Sequence, residues 1–112
     1  MTLRKAVVNR VIEAAPTCTV SELGFSGSQD AAIATISGRY PETGFVLNRE
    51  SDMIIRVTLG IGSIATRDSS EQVGVGDVLF IDKQTPYFYE GDFEVLMISS
   101  PAWSPDQYEH VD

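Results

Sequence analysis

The chain is expected to be all-β, a small sandwich or barrel. Three observations predict this class. About nine short apolar or β-branched runs recur at roughly 8–12-residue spacing, the pattern of such folds. Nine glycines and five prolines supply turn residues between them. Beyond Pro16 no segment keeps a helical repeat of apolar positions.

The elements follow in order. In residues 4–15, Val7, Val8, Val11 and Ile12 fit one face of a short helix or an edge strand, and Pro16 ends the segment. Residues 17–23 alternate polar and apolar, as a half-buried strand does, and GFSGSQD (24–30) reads as a turn. AAIATIS (31–37) is a short apolar run and GRYPETG (38–44) a loop bounded by glycine. Residues 45–48 form a short strand, which RESD (49–52) breaks. MIIRVTL (53–59) is rich in β-branched residues. GIG (60–62) reads as a turn, and residues 63–66 lead away from it. RDSSE (67–71) is a hairpin loop, residues 72–75 a strand running into the GVGD turn (74–77), and residues 78–81 another strand. DKQTP (82–86) is a turn, residues 87–90 a strand, GD (91–92) a hairpin signal, and FEVLMIS (93–99) the last clear strand. The polar tail that follows is expected to lie along the barrel surface, with Trp103 anchoring it on the barrel or on a neighbouring subunit.

A chain of 112 residues suits one domain, with a core over residues 17–100 and a tail over 101–112. Sixteen acidic and 8 basic residues give a net charge of −8. That surface repels phosphate backbones and anionic lipid, so neither nucleic acid nor membrane is an expected partner. Cys18 is the one cysteine, which excludes an intrachain disulfide and fits a reducing cytoplasm. No run resembles a secretory signal or a membrane span, so a cytoplasmic location is expected. His110 is the one histidine, so no mechanism needing two histidines can run within one chain.

Two stretches carry a family pattern. GRYPETGFVLNRESDMIIRVTLGIG (38–62) and GVGDVLFIDKQTPYFYEG (74–91) resemble the two motifs of the cupin superfamily, of the RmlC-like kind. PAWSPDQ (101–107) matches the end of a group of small single-domain bacterial cupins. The resemblance spans roughly residues 17–107. It implies a compact antiparallel β-barrel, the double-stranded β-helix or jelly roll, with a site inside. In metal-binding cupins the first motif carries His-x-His and then Glu, and the second His and then Asn. Here the paired histidines fall on Val46 and Asn48, the Glu on Met53, the second-motif His on Tyr87 and its Asn on Gly91. Valine cannot ligate, and amide, thioether and neutral phenol are poor donors for the metals such sites hold. No metal and no other cofactor is therefore expected.

Strand periodicity says what should face the lumen. If Met53 points inward, so do Ile55, Val57 and Leu59, while Arg56 points out. If Tyr87 points inward, so does Tyr89, while Phe88 points out. Asn48, Tyr87 and Tyr89, with Met53, Ile55 and Val57 as apolar wall, are thus the candidate ligand-binding residues. An apolar pocket with a few convergent polar groups is what a small-molecule site looks like, and a filled barrel core looks the same. Glu42 and Glu50 read as solvated loop charges, and Arg39 as a clamp for a carboxylate or a loop-fixing ion pair. Cys18, Met53 and Met97 read as packing residues. His110 lacks triad partners, and neither GIG nor GVGD opens a helix as a phosphate loop would.

Three functions fit. The first is a metal-independent small-molecule binder, with a sugar or small organic acid suggested by fold analogy. The second is an enzyme: a metal-free isomerase or epimerase with a tyrosine acid and a carboxylate base that the sequence does not place, or a divergent metal enzyme. The third is a filled barrel with a structural or regulatory role. A homodimer is expected, since open sheet edges and outward apolar residues such as Ile54 need cover.

Overall fold

The computed structural model describes residues 3–112 and is built almost entirely of strands. They are β1 (Arg10–Ala15), β2 (Cys18–Ser26), β3 (Gln29–Tyr40), β4 (Phe45–Asn48), β5 (Asp52–Thr66), β6 (Ser70–Gly74), β7 (Val78–Ile81), β8 (Tyr87–Ser100) and β9 (Tyr108–Val111). A 3₁₀ turn, Pro105–Gln107, precedes β9. Every strand pairing is antiparallel. The strands form one curled sheet in the order β1-β2-β3-β8-β4-β9, with β5 pairing β8, β6 and β7. No helix among the described residues is long and apolar enough to cross a membrane.

The spine is β8, held between β3 and β5 along most of its length. Its odd-numbered residues face inward, so Tyr87, Tyr89, Phe93, Val95 and Ser99 are buried. Ile36 from β3 and Ile55 and Val57 from β5 complete the core around Val95. Cys18, in β2, is buried there as a small packing residue.

Two expected turns are absent. GIG lies inside β5, and Gly91-Asp92 lies inside β8. Their glycines serve close approach between the two long strands. Gly62 pairs with Gly91. A Cβ on Gly62 would meet the Phe93 ring at 2.5 Å, and one on Gly91 would meet the Gly62 Cα at 2.6 Å. Turn composition and strand-crossing composition are alike in sequence, and long-range pairing decides between them.

The inward parity from Met53 holds through Val57 and then fails. A bulge between Val57 and Leu59 shifts the register, so Leu59 is exposed rather than inward. Residues 10–15 are an edge strand, resolving the helix-or-strand ambiguity of the N-terminal segment. The tail does more than lie on the surface: β9 adds to β4, pairing Val46 with His110 and Asn48 with Tyr108.

Candidate functional site

The cavity arises from a size mismatch between facing strands. Along β3 the inward positions after Asp30 are Ala32 and Ala34, paired with Met97 and Val95 of β8. Alanines cannot reach across the barrel, so that half of the lumen stays open. The opposite half is filled by Ile55 and Val57, both fully buried. The result is a cavity of about 340 Å³ between β2, β3, β8 and the returning tail.

Asn48, Met53, Tyr87 and Tyr89 line this cavity. Ile55 and Val57 do not: they point inward as expected, but packing seals them in the core beside it. Their places in the apolar wall are taken by Val20, Ala34 and Met97, which the sequence did not single out for a pocket. Phe88 faces away from the lumen, edge-on to Phe45 with ring centroids 5.6 Å apart.

The polar groups are mostly turned on one another. The Trp103 indole N–H donates to Asn48 Oδ1 at 2.8 Å, and Asn48 Nδ2 donates to Met53 Sδ at 3.5 Å. The hydroxyls of Tyr40 and Tyr108 are 2.5 Å apart. The Tyr89 hydroxyl donates to Met97 Sδ at 3.6 Å. Tyr87 and Tyr89 meet edge to face, with centroids 5.4 Å apart. Burial pushes the Tyr87 and Tyr89 phenols far above their ordinary range, so both stay neutral. It also pushes the Cys18 thiol, on the same wall, up to about 11.

Among the lining residues that the sequence did not bring to the site are Glu22, Asp30, Tyr40, Trp103 and Tyr108. Asp30 falls in the expected GFSGSQD turn, yet it lies in β3 opposite the inward Ser99 and shares its face. Burial raises its pKa, partly opposed by hydrogen bonding from the Trp103 backbone and from Ser99. Glu22 is tied at the rim to Arg10, 2.7 Å away. Tyr40, Trp103 and Tyr108 come from a loop edge and the tail, and only the folded topology reveals their convergence.

The other candidates sit elsewhere. Glu42 and Glu50 are exposed and outside the cavity. Arg39 makes neither a carboxylate clamp nor an ion pair: it donates to the carbonyls of Pro41 (2.6 Å) and Gly44 (3.1 Å) and stacks on Phe88. It fixes the GRYPETG loop through backbone oxygens. Arg56 is exposed, as its parity predicts. His110 lies 2.7 Å from the Thr43 carbonyl oxygen, away from the cavity.

The donor set does not suit the metal that this fold commonly carries. Val46 offers hydrocarbon, Asn48 is engaged by Trp103 and Met53, and Tyr87 holds its proton. Among the described residues, no three His, Cys, Asp or Glu side chains gather as a metal would require.

Similarity to known proteins is carried by structure. No protein-family model and no curated protein matches the sequence. Among solved structures, the chain superposes with TM-score 0.83 on Pac13, described as a unique nucleoside dehydratase, at 18% identity over 98% of this chain and 92% of that one. Streptomyces PAC13 has also been solved as variants with uridine. The polyketide cyclase RemF from Streptomyces resistomycificus gives 0.77 at 15% identity over 99% and 87% of the two chains. KdgF from Halomonas gives 0.71 at 16% identity over 93% and 98%. An RmlC-like cupin from Shewanella frigidimarina also gives 0.71, at 15% identity over 87% and 86%. At such identities the likeness speaks for the fold, and this chain has the RmlC-like cupin fold.

Proposed function

We propose that this protein binds a small molecule inside its barrel without a metal. One observation carries the reading: a cavity of about 340 Å³ whose wall joins Met53, Met97 and Val20 to four phenols and the Asn48 amide. That volume lies at the lower end of ordinary ligand pockets, and the mix of apolar wall and few polar groups is theirs. Asn48, Met53, Tyr87 and Tyr89 are the binding residues foreseen from sequence, joined by Tyr40, Tyr108, Trp103 and Asp30. A structural neighbour solved with uridine and another described as a polyketide cyclase support a ring-sized ligand. The open cavity weighs against a barrel that is merely full. An acidic wall weighs against an organic acid.

The experiment is a thermal-shift screen with neutral nucleosides, sugars, aromatic rings and amines, repeated on Tyr87→Phe. Ligand-dependent stabilisation that the variant loses, at an unchanged apo midpoint, supports the site. A midpoint that no compound moves sinks it.

Asp30 favours a second reading, proton-transfer catalysis of the isomerase type. Its carboxylate can take a proton from one substrate carbon and return it to another, so no phenolate need form. The neutral buried phenols would then orient the substrate. Product analysis of any ligand from the screen, with wild type and Asp30→Asn, tests this: an unaltered ligand excludes it.

The proposed assembly is a cytoplasmic homodimer, consistent with one buried, unbridged cysteine. Its interface would be the outer face of β5 and β7, where exposed Ile54 pairs with exposed Phe80 beside Val78.

A further inference from the structure

We infer that the cavity selects a compact organic cation, of the alkylammonium type, over neutral and anionic molecules of the same shape. This deepens the binding reading and rests on it.

Among the described residues no lysine, arginine or histidine lines the cavity, whereas Asp30 and Glu22 do. Glu22 is answered by Arg10. Among the described residues the only other ion pair joins Arg49 to Glu109, so Asp30 has no cationic partner. Arg4 borders a neighbouring groove that also reaches Asp30, but its guanidinium donates to the Phe25 carbonyl, 2.8 Å away. Asp30 is thus a half-buried carboxylate at the edge of an apolar chamber, hydrogen-bonded by Trp103 and Ser99 but not paired with a cation. Such a group is costly to hold ionised, and a bound cation relieves that cost.

The second observation is the aromatic content. Tyr40, Tyr87, Tyr89, Trp103 and Tyr108 all border the cavity. Aromatic faces attract cations, and rings gathered around one volume are the usual receptor for quaternary ammonium groups. Third, several of the neutral polar side chains are already engaged. Asn48 is bonded to Trp103 and Met53, Tyr40 to Tyr108, and Tyr89 to Met97. A sugar would find few free donors for its hydroxyls. An alkylammonium group needs none: it needs ring faces and one carboxylate. The net charge of −8 adds long-range attraction for a cation.

The test uses isothermal titration calorimetry on the full chain with choline and with its uncharged carbon isostere, dimethylbutanol. Choline is expected to bind about tenfold or more tightly, the scale of a partly desolvated cation–aromatic contact. The preference should shrink in Asp30→Asn and return in Asp30→Glu. If Asp30→Asn fails to fold, the wild-type comparison decides alone. Equal affinities, or binding of neutral nucleosides without choline, overturn the charge selection and leave the pocket standing. Binding of no compound overturns both.

Discussion

Trp103 closes the barrel by donating its indole N–H to the Asn48 side-chain oxygen, 2.8 Å away. The contact joins the tail to the strand position on which the motif resemblance places a histidine of metal-binding cupins. Asn48 is buried, so without Trp103 its oxygen loses its partner in a place where water replaces it poorly. Trp103→Phe keeps the ring and removes the donor. It should cost about 1–2 kcal/mol and lower the melting temperature by roughly 5–10 °C. Urea unfolding of the two proteins measures the difference. An unchanged urea midpoint would mean that the tail is not fastened through this bond.

Gln107 fixes the same tail at a second point. Its buried Oε1 accepts from the backbone N–H groups of Glu50 and Ser51, at 2.9 and 2.8 Å, and its Nε2 donates to Ser51 Oγ at 2.8 Å. Gln107→Ala leaves two donors of the RESD loop unpaired, for a loss of about 2–4 kcal/mol. Gln107→Glu retains the acceptor but, as a carboxylate, cannot donate to Ser51, so it should lose less than Gln107→Ala and remain less stable than wild type. Equal stabilities of the two variants would remove the hydrogen-bonding explanation.

Gly62 and Phe93 give a packing prediction. Gly62 has an ordinary φ, so the obstacle to a side chain is steric: the Phe93 ring at 2.5 Å and, behind it, the Glu90 carbonyl oxygen at 2.7 Å. Gly62→Ala should destabilise by about 1–3 kcal/mol through overpacking. Phe93→Leu also destabilises by itself, yet the double variant should be more stable than the summed losses predict. Additive losses in a double-mutant cycle would show that the two positions are not coupled.

These positions also show what the sequence could and could not convey. Glycine spacing and motif order made the cupin barrel legible, and alternation from Tyr87 placed Tyr89 inside and Phe88 outside. The same alternation misplaced Leu59, because one bulge reverses every side chain after it. GIG and Gly91-Asp92 read as turns because composition cannot tell a bend from two strands pressed together. Asp30 was hidden for a related reason: its direction is set by pairing with Ser99, which lies far along the chain. Tyr40, Trp103 and Tyr108 meet only once β9 returns to β4.

Alkaline pH should weaken the fold in a defined window. Burial raises the Cys18 thiol from 9.0 to about 11 and lifts Tyr87 and Tyr89 well above 10.0. Each raised pKa means that the folded state holds the proton more tightly than the unfolded chain. That stabilisation is complete below the unfolded value and declines as pH climbs toward the folded one. Urea midpoints for wild type should therefore fall from about pH 9 upward. In Cys18→Ala the fall should begin nearer pH 10, where only the tyrosines contribute. Identical onsets would exclude the thiol as a source.

Ile54 and Phe80 make the assembly testable. They are cross-strand partners on the outside of β5 and β7, and Phe80 is 76% exposed in the single chain. β7 pairs only with β5, so this apolar face borders a free sheet edge. Phe80→Glu places a charge at its centre and leaves the barrel interior untouched, since β7 turns Leu79 and Ile81 inward. Sedimentation velocity should show a dimer for wild type and a monomer for Phe80→Glu, with cavity binding retained in both. A wild-type monomer at working concentration ends the dimer proposal, and a dimeric Phe80→Glu moves the interface to another face.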